Sequence, residues 1–467
     1  MFLKSFFTNS IGILVSRIFG FIRDLLTASI LGANIYSDIF FIAFKLPNLF
    51  RRVFAEGAFA QSFIPNFTKS RLKSLFTYRI FVKFFLFLLV LSLFVTFFSN
   101  FFTKIIAIGF DKQNIELAST FVAINFYYLP IIFCVSFFAS LLQYKNHFAT
   151  TAFSTTLLNI AIISSLLITK NMPKIDIVYG MSYAVLIGGI LQIAAHILAL
   201  KYKGLLKIFY VGYRFSKSTK DDKQTDKFFK AFYHAIVGNS TAQVSAFLDT
   251  WLASFLASGS ISYLYYGNRV FQLPLALFAI ALSVGIFPKI AKMLKTGNEA
   301  TALVLMRNSF WFLTFLLSVS MIAGLIFSQE IVKVLFLRGS FTAENAYHTS
   351  RVLSMYLIGL LPFGLSKIFS LWLYSKNQQN IAAKISIYSL VTNVILSLAL
   401  ISPYGVEGLA LASSISGFVL LIFTIRAFGI RLFLDIISFK NILLLCLLSG
   451  VEIVVLLKIK EIIDVYL

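Results

Sequence analysis

Apolar runs of about 20 residues recur from one end of this 467-residue chain to the other, and each is long enough to cross about 30 Å of hydrocarbon as a helix. Thirteen such spans are read at 6–30, 36–64, 80–102, 117–142, 149–169, 176–200, 231–257, 262–287, 303–327, 352–373, 384–402, 406–427 and 441–457. No water-soluble domain fits between them, so the chain is expected to be an all-α integral membrane protein. Only 13% of its residues are charged, against about 25% in soluble domains. The amino terminus, MFLKSFFTNSIGILVSRIFGFIRD, lacks a small-residue cleavage site after a short apolar core and reads as a retained first helix. Cys134 and Cys446 both sit in apolar runs, which implies neither a disulfide framework nor a metal cluster.

A net charge of +23 in a soluble protein would point to nucleic acid; in a membrane protein it first reports topology. Of 41 basic residues, 25 fall on the side shared with the N-terminus and 8 on the other. That bias places the N-terminus in the cytoplasm. The remaining eight basic residues lie within spans: Arg17, Arg23, Lys45, Arg51, Arg52, Arg269, Arg351 and Lys367.

The longest polar stretch, KYKGLLKIFYVGYRFSKSTKDDKQTDKFFK at 201–230, divides six spans from the rest. A solvated basic cytoplasmic linker is the favoured reading over an amphipathic surface helix. The organisation read from this is an N-terminal lobe at 1–200, the linker, a C-terminal lobe at 231–430 and a further helix region at 431–467. The lobes echo one another. FKLPNLF (Phe44 to Phe50) in the second span and FQLPLALF (Phe271 to Phe278) in the eighth both set proline after leucine in a span that also carries arginine. Internal duplication is the usual plan of secondary transporters, and Pro47 and Pro274 are expected to bend or break their helices, as helices lining cavities often are.

Helix rise turns position into depth. Arg17 lies about 18 Å into the first span, and Lys45 and Arg269 also fall near mid-membrane. Each would cost about 2.5–3.5 kcal/mol if it faced lipid, so these side chains are expected in a hydrated cavity or beside acids. The acids weighed against them are Asp24, Asp38, Glu56 and Asp249. Arg17 and Asp24 share a helix face, as do Arg52 and Glu56, yet a basic surplus remains. Arg51 and Arg52 also fit the inner end of the second span, Arg351 fits an interface, and Lys367, about 9 Å from the inner edge, can snorkel. Surplus guanidinium groups in a membrane cavity favour an anion, and their planar donors suit phosphate. The residues therefore point to a transporter with an anion-binding cavity.

Enzymatic chemistry on such a phosphate ligand calls for clustered acids with metal, or a nucleophile. The one acid cluster, Asp221, Asp222 and Asp226, lies among lysines in the linker. His147, His196, His234 and His348 are scattered, with no H-E-x-x-H.

The run SRIFGFIRDLLTASILGANIYSDIFFIAFKLPNLFRRVFAEGAFAQSFIPNF, Ser16 to Phe67, resembles the MurJ (MviN) family of lipid II flippases. Its signature polar positions are matched by Gly20, Arg23, Asp24, Asp38, Lys45, Pro47, Asn48, Arg51, Arg52, Glu56 and Gly57. A second match is YYGNRVFQLPLALFAIALSVGIFPKI, Tyr265 to Ile290. The resemblance implies an exporter fold of two six-helix lobes around a central cationic cavity, with thirteen to fourteen spans in all. It implies a bacterial inner-membrane protein that moves lipid II, a polyprenyl diphosphate carrying a disaccharide-pentapeptide, to the outer leaflet for peptidoglycan synthesis. By position, Arg17, Arg23, Arg51 and Arg269 match the family's cavity arginines, with Arg52 and Lys45 beside them. Asp24, Asp38, Asn48 and Glu56 match gating or supporting residues, and Pro47 and Pro274 mark the breaks. Asp249, in VSAFLDTWLASFL, resembles an acid associated with cation binding. No cofactor is implied beyond coupling to membrane potential or a monovalent cation. The implied partners are lipid II, membrane lipids and the peptidoglycan synthesis machinery. The chain departs from the pattern at Asn268, where Asp is expected, and at Gln378-Gln379, where Asp-Thr is expected. The alternative reading is an exporter of another polyprenyl-linked glycan, or of drugs, on the same fold.

Overall fold

The computed structural model describes residues 2–50, 58–217, 223–239 and 241–466, and every regular element among them is a helix. Nine helical stretches among the described residues are long and apolar enough to cross a membrane. One of these, at 379–428, merges the two spans read at 384–402 and 406–427; the chain turns there at Gly405, whose φ of 54° and ψ of −130° are open to glycine. The spans read at 6–30 and 36–64 are helical throughout their described parts, and the one at 231–257 is helical as far as Ala253. Helix is what the hydrocarbon demands, since every backbone N–H and C=O must find its partner within the segment.

The chain divides into two compact units, residues 1–247 with 338–341, and residues 248–337 with 342–467. In the first, α1 (Phe2–Leu31) packs against α8 (Ala149–Thr169), and α8 against α9 (Lys174–Tyr202). Contact between α8 and α9 depends on small residues: a Cβ on Gly188 would sit 2.8 Å from Leu158 Cα. Between these run α2 (Ile35–Phe50), α3 (Ala58–Lys69), α4 (Lys73–Phe97), α5 (Ser99–Ile106), α6 (Lys112–Phe126) and α7 (Tyr128–Tyr144). Phenylalanine fills the core here. Phe59 and Phe63 are buried, and the rings of Phe84, Phe133, Phe137 and Phe228 surround Phe59 at 5.7–6.0 Å.

The polar stretch at 201–230 is more ordered than a solvated linker. It contains α10 (Lys207–Ser216) and leads into α11 (Lys223–Asn239). The reason is that α10 has an apolar face that finds a partner: Phe209 packs on Phe81, Phe137 and Phe138, and Gly212 lies against the backbone of α4. Asp221 and Asp222 lie outside the described residues.

α12 (Thr241–Ala253) carries the chain into the second unit. There α13 (Ser260–Pro274) passes at Pro274 into a π-helical turn, Leu275–Ile280, before α14 (Ala281–Lys295). Proline deletes one donor from the ladder, and the wider turn accommodates the loss. α15 (Glu299–Ile326), α16 (Ser328–Phe336), α17 (Ala343–Ile358), α18 (Leu360–Ser375), α19 (Gln379–Phe428), α20 (Ile430–Ile436) and α21 (Phe439–Tyr466) complete the unit. α17 starts with a capping box between Thr342 and Asn345.

Candidate functional site

In the first unit the polar residues of α1 form a stripe facing α8. The Ser16 hydroxyl donates to Thr155 Oγ1 at 2.7 Å, Asn159 Nδ2 donates to the Ser16 carbonyl at 3.1 Å, and Gly20 lies against Asn159. At the end of the stripe Arg23 donates from Nη1 to Asn159 Oδ1 and forms an ion pair with Asp24 at 2.6 Å. Asp24 is buried and Arg23 nearly so. The carboxylate that shares a face with Arg17 is therefore engaged by Arg23. Arg17 itself is exposed on α1.

Asp38 is buried near the start of α2. Asn34 begins that helix by accepting from the Tyr36 N–H at 2.9 Å, as capping residues do. Lys45 and Asn48 are half-buried on α2 and flank the buried Pro47. Arg51, Arg52 and Glu56 lie outside the described residues.

In the second unit Arg269 is half-buried on α13, one turn before Pro274. Tyr265 braces it twice. The guanidinium donates from Nη2 to the Tyr265 hydroxyl at 3.0 Å and stands 5.2 Å from the ring centre, a cation–π arrangement. Asn268, where the resemblance leads one to expect an acid, accepts from Gln272.

Asp249 reaches α19. Its Oδ2 accepts from the Ser413 hydroxyl at 3.3 Å, and Asn393 lies beside both. The Asn393 carboxamide nitrogen donates to Asp249 Oδ1 at 3.3 Å, and its oxygen accepts from the Ser413 hydroxyl at 3.0 Å and the Ser413 N–H at 3.2 Å. A carboxylate, a hydroxyl and a carboxamide are hard oxygen donors, and one negative charge among them suits a monovalent cation. Gln378 and Gln379 begin α19 and take no part in these contacts.

Of the remaining basic residues within spans, Arg351 pairs with Glu407 at 3.0 Å and bonds Tyr347. Lys367 is half-buried on α18 without a partner among the described residues. An inventory of charges alone misses Asn159, Asn393, Ser413 and Tyr265. Their signal was uncharged polarity inside apolar runs, with Ser389 and Asn393 one turn apart. Glu407 and Glu452 also lie within spans, in addition to Asp24, Asp38, Glu56 and Asp249.

The sequence profile of the family described as "Lipid II flippase MurJ" matches residues 27–463. A probable lipid II flippase MurJ from Helicobacter pylori (strain ATCC 700392 / 26695) is 47% identical over 445 residues, covering 93% of this chain and 96% of that one. One from Aquifex aeolicus is 35% identical over 431 residues, covering 89% and 81%. Among solved structures, a lipid II flippase MurJ in an inward closed conformation superposes with a TM-score of 0.81 at 25% identity, covering 98% of both chains. An inward-facing multidrug resistance MATE transporter matches with a TM-score of 0.65 at 11% identity over 92% of this chain and 98% of that one, a likeness of fold alone.

Proposed function

This chain belongs to the MurJ family of lipid II flippases, and on that premise we propose that its bilayer-depth arginines grip the diphosphate of lipid II while the headgroup passes from the inner to the outer leaflet. It is a transporter and not an enzyme. No bond is made or broken; the work is recognition and alternating access.

The observation that carries the reading is Arg269. A guanidinium at bilayer depth is costly unless it meets water or an anion, and Tyr265 holds this one by hydroxyl and ring in a fixed pose just before a π-helical break. Preorganising a planar fork lowers the entropy lost when it closes on phosphate oxygens. Arg17 and Lys45, with Arg51 and Arg52, supply further positive charge, while Arg23, fastened to Asp24 and Asn159, both contributes charge and holds α1 to α8. Asp38, Asn48 and Glu56 act as supporting groups, and Pro47 and Pro274 mark where the helices yield.

Asp249, Ser413 and Asn393 would hold a monovalent cation whose binding, with the membrane potential, resets the carrier; each charge moved through 100 mV is worth about 2.3 kcal/mol. The protein lies in the inner membrane with its N-terminus in the cytoplasm, in keeping with the basic bias of that side, and delivers to the peptidoglycan synthesis machinery. The test is reconstitution. Proteoliposomes containing lipid II should expose it in the opposite leaflet when the protein is present, and the Arg269→Ala protein should not do this. Equal exposure by both would end the proposal.

A further inference from the structure

Glu452 stands on α21, about 15 Å along the helix from Ile442 and therefore near mid-bilayer. Neither carboxylate oxygen has a hydrogen-bond partner, and both are closed off from solvent. α21 runs at the rim of its unit, with no buried residue in its most apolar stretch, so the oxygens are covered by their immediate neighbours and not by depth in the protein.

The helix packed against α21 is α15. From Asn308 to Ile326, α15 carries no ionisable side chain, and its Thr314 and Ser320 hydroxyls donate to their own helix at the Phe310 and Leu316 carbonyls. Glu299 and Arg307 belong to the far end of α15. On α21, Cys446 and Lys458 are exposed and project from other faces of the helix. Lys460 is taken by Glu330 at 3.6 Å and the Ile326 carbonyl at 3.0 Å. Lys440 with Arg431 and Asp435 of α20, and Lys333 of α16, stand at the ends of the apolar stretch. Among the described residues no cation is thus placed to neutralise a carboxylate, and hydrocarbon tolerates the acid far better than the anion.

We propose that Glu452 is a proton-binding site inside the bilayer, and that the bound proton is what allows α21 to lie against α15. This is independent of how the headgroup is recognised. A neutral carboxylic acid in an apolar setting is open to hydrophobic carbodiimides. Its proton moves to one carbodiimide nitrogen as the carboxyl oxygen adds to the central carbon, and the acyl group then shifts to nitrogen to leave a stable N-acylurea. Nothing is expelled or oxidised.

The full-length protein in lipid nanodiscs, treated with dicyclohexylcarbodiimide at neutral pH, should carry an adduct at Glu452 by peptide mass spectrometry. The adduct should fall several-fold on alkalinisation and be absent from Glu452→Gln. A water-soluble carbodiimide with an added amine should leave the residue unmodified. Glu452→Gln, neutral and of the same shape, should keep the thermal unfolding midpoint of the parent, whereas Glu452→Lys should lower it. No adduct on the folded parent, equal labelling by the water-soluble reagent, or a Gln variant as unstable as the Lys one would each overturn the proposal.

Discussion

Arg23 donates from Nη1 to the carboxamide oxygen of Asn159 at 3.1 Å, across 136 residues of sequence and from one helix to another. The same asparagine donates back to the Ser16 carbonyl, so one side chain joins α1 to α8 at two levels. Asn159→Ala removes both bonds and leaves a nearly buried guanidinium with one partner fewer. Hydrogen bonds to charged groups contribute about 1.5–3 kcal/mol, and the variant should unfold at lower temperature in detergent by a corresponding amount. An unchanged midpoint would show that α1 and α8 do not rely on this residue.

Two glycines test packing in opposite directions. A Cβ on Gly212 would lie 2.2 Å from the Ser74 carbonyl oxygen, and backbone cannot move aside as a side-chain tip can. Gly212→Ala should therefore lift α10 from α4 and cost about 1–3 kcal/mol, the usual range for overpacking. Gly285, helical on α14, has nothing within 4 Å of its Cβ position. Gly285→Ala should raise the midpoint slightly, by about 0.5–1 kcal/mol of helix propensity. Both are read by thermal unfolding of the purified proteins.

The oxygens of Asp249, Ser413 and Asn393 predict a salt effect that depends on ion identity. Sodium or lithium should raise the unfolding midpoint above that in choline chloride at equal ionic strength, by about 2.7 kcal/mol when the ion is a hundredfold above its dissociation constant. Asp249→Ala should abolish the difference. Asn393→Asp, which adds a second carboxylate, should move the half-saturating concentration lower. A parent protein that treats sodium and choline alike would remove the cation from the cycle.

What the sequence made legible follows the physics of each signal. Apolar length is a strong signal, and in their described parts the spans read from it lie almost wholly on helices, apart from the last residues of the one at 231–257, because hydrocarbon leaves the backbone no other option. Arg23 and Arg269 were visible as charges at improbable depth. Their partners were not, since Asn159 and Tyr265 are ordinary residues whose importance comes from the helix they meet. Asp24 was read beside Arg17 from helical periodicity, yet the adjacent Arg23 curls back to it, a contact periodicity does not anticipate. The composition of 201–230 hides its packing: the lysines suggest solvation, while Phe209 and Gly212 give α10 a face to bury.

His147, in the turn between α7 and α8, gives a pH prediction outside the spans. Its Nε2 lies 2.8 Å from Thr150 Oγ1, and burial first, with Lys203 second, holds its imidazole below the usual range. The fold thus favours the neutral ring. The stability this contributes is fully present above the ordinary imidazole value of about 6.5 and declines as pH falls through it toward the lowered value in the fold, because the unfolded chain binds the proton first. Since the ring is only partly covered, the effect should be small. The parent should lose more of its unfolding midpoint than His147→Gln between neutral and mildly acidic pH, and parallel curves would refute the assignment.

Arg269 carries the most demanding prediction, because its neighbours separate charge from shape. Arg269→Ala should abolish complementation of flippase-deficient cells at normal membrane levels, as should Arg17→Ala. Arg269→Lys keeps the charge but gives up the planar fork, so it should transport poorly while inserting and unfolding like the parent; losing one bidentate contact is worth about 1–2 kcal/mol, or roughly five- to thirtyfold in rate. Tyr265→Phe keeps the ring under the guanidinium and removes only the hydroxyl at 3.0 Å. It should fall between the parent and the lysine variant. If instead the lysine variant flips lipid II at the parental rate, charge alone suffices at this position, and the arginine's geometry has no part in holding the diphosphate.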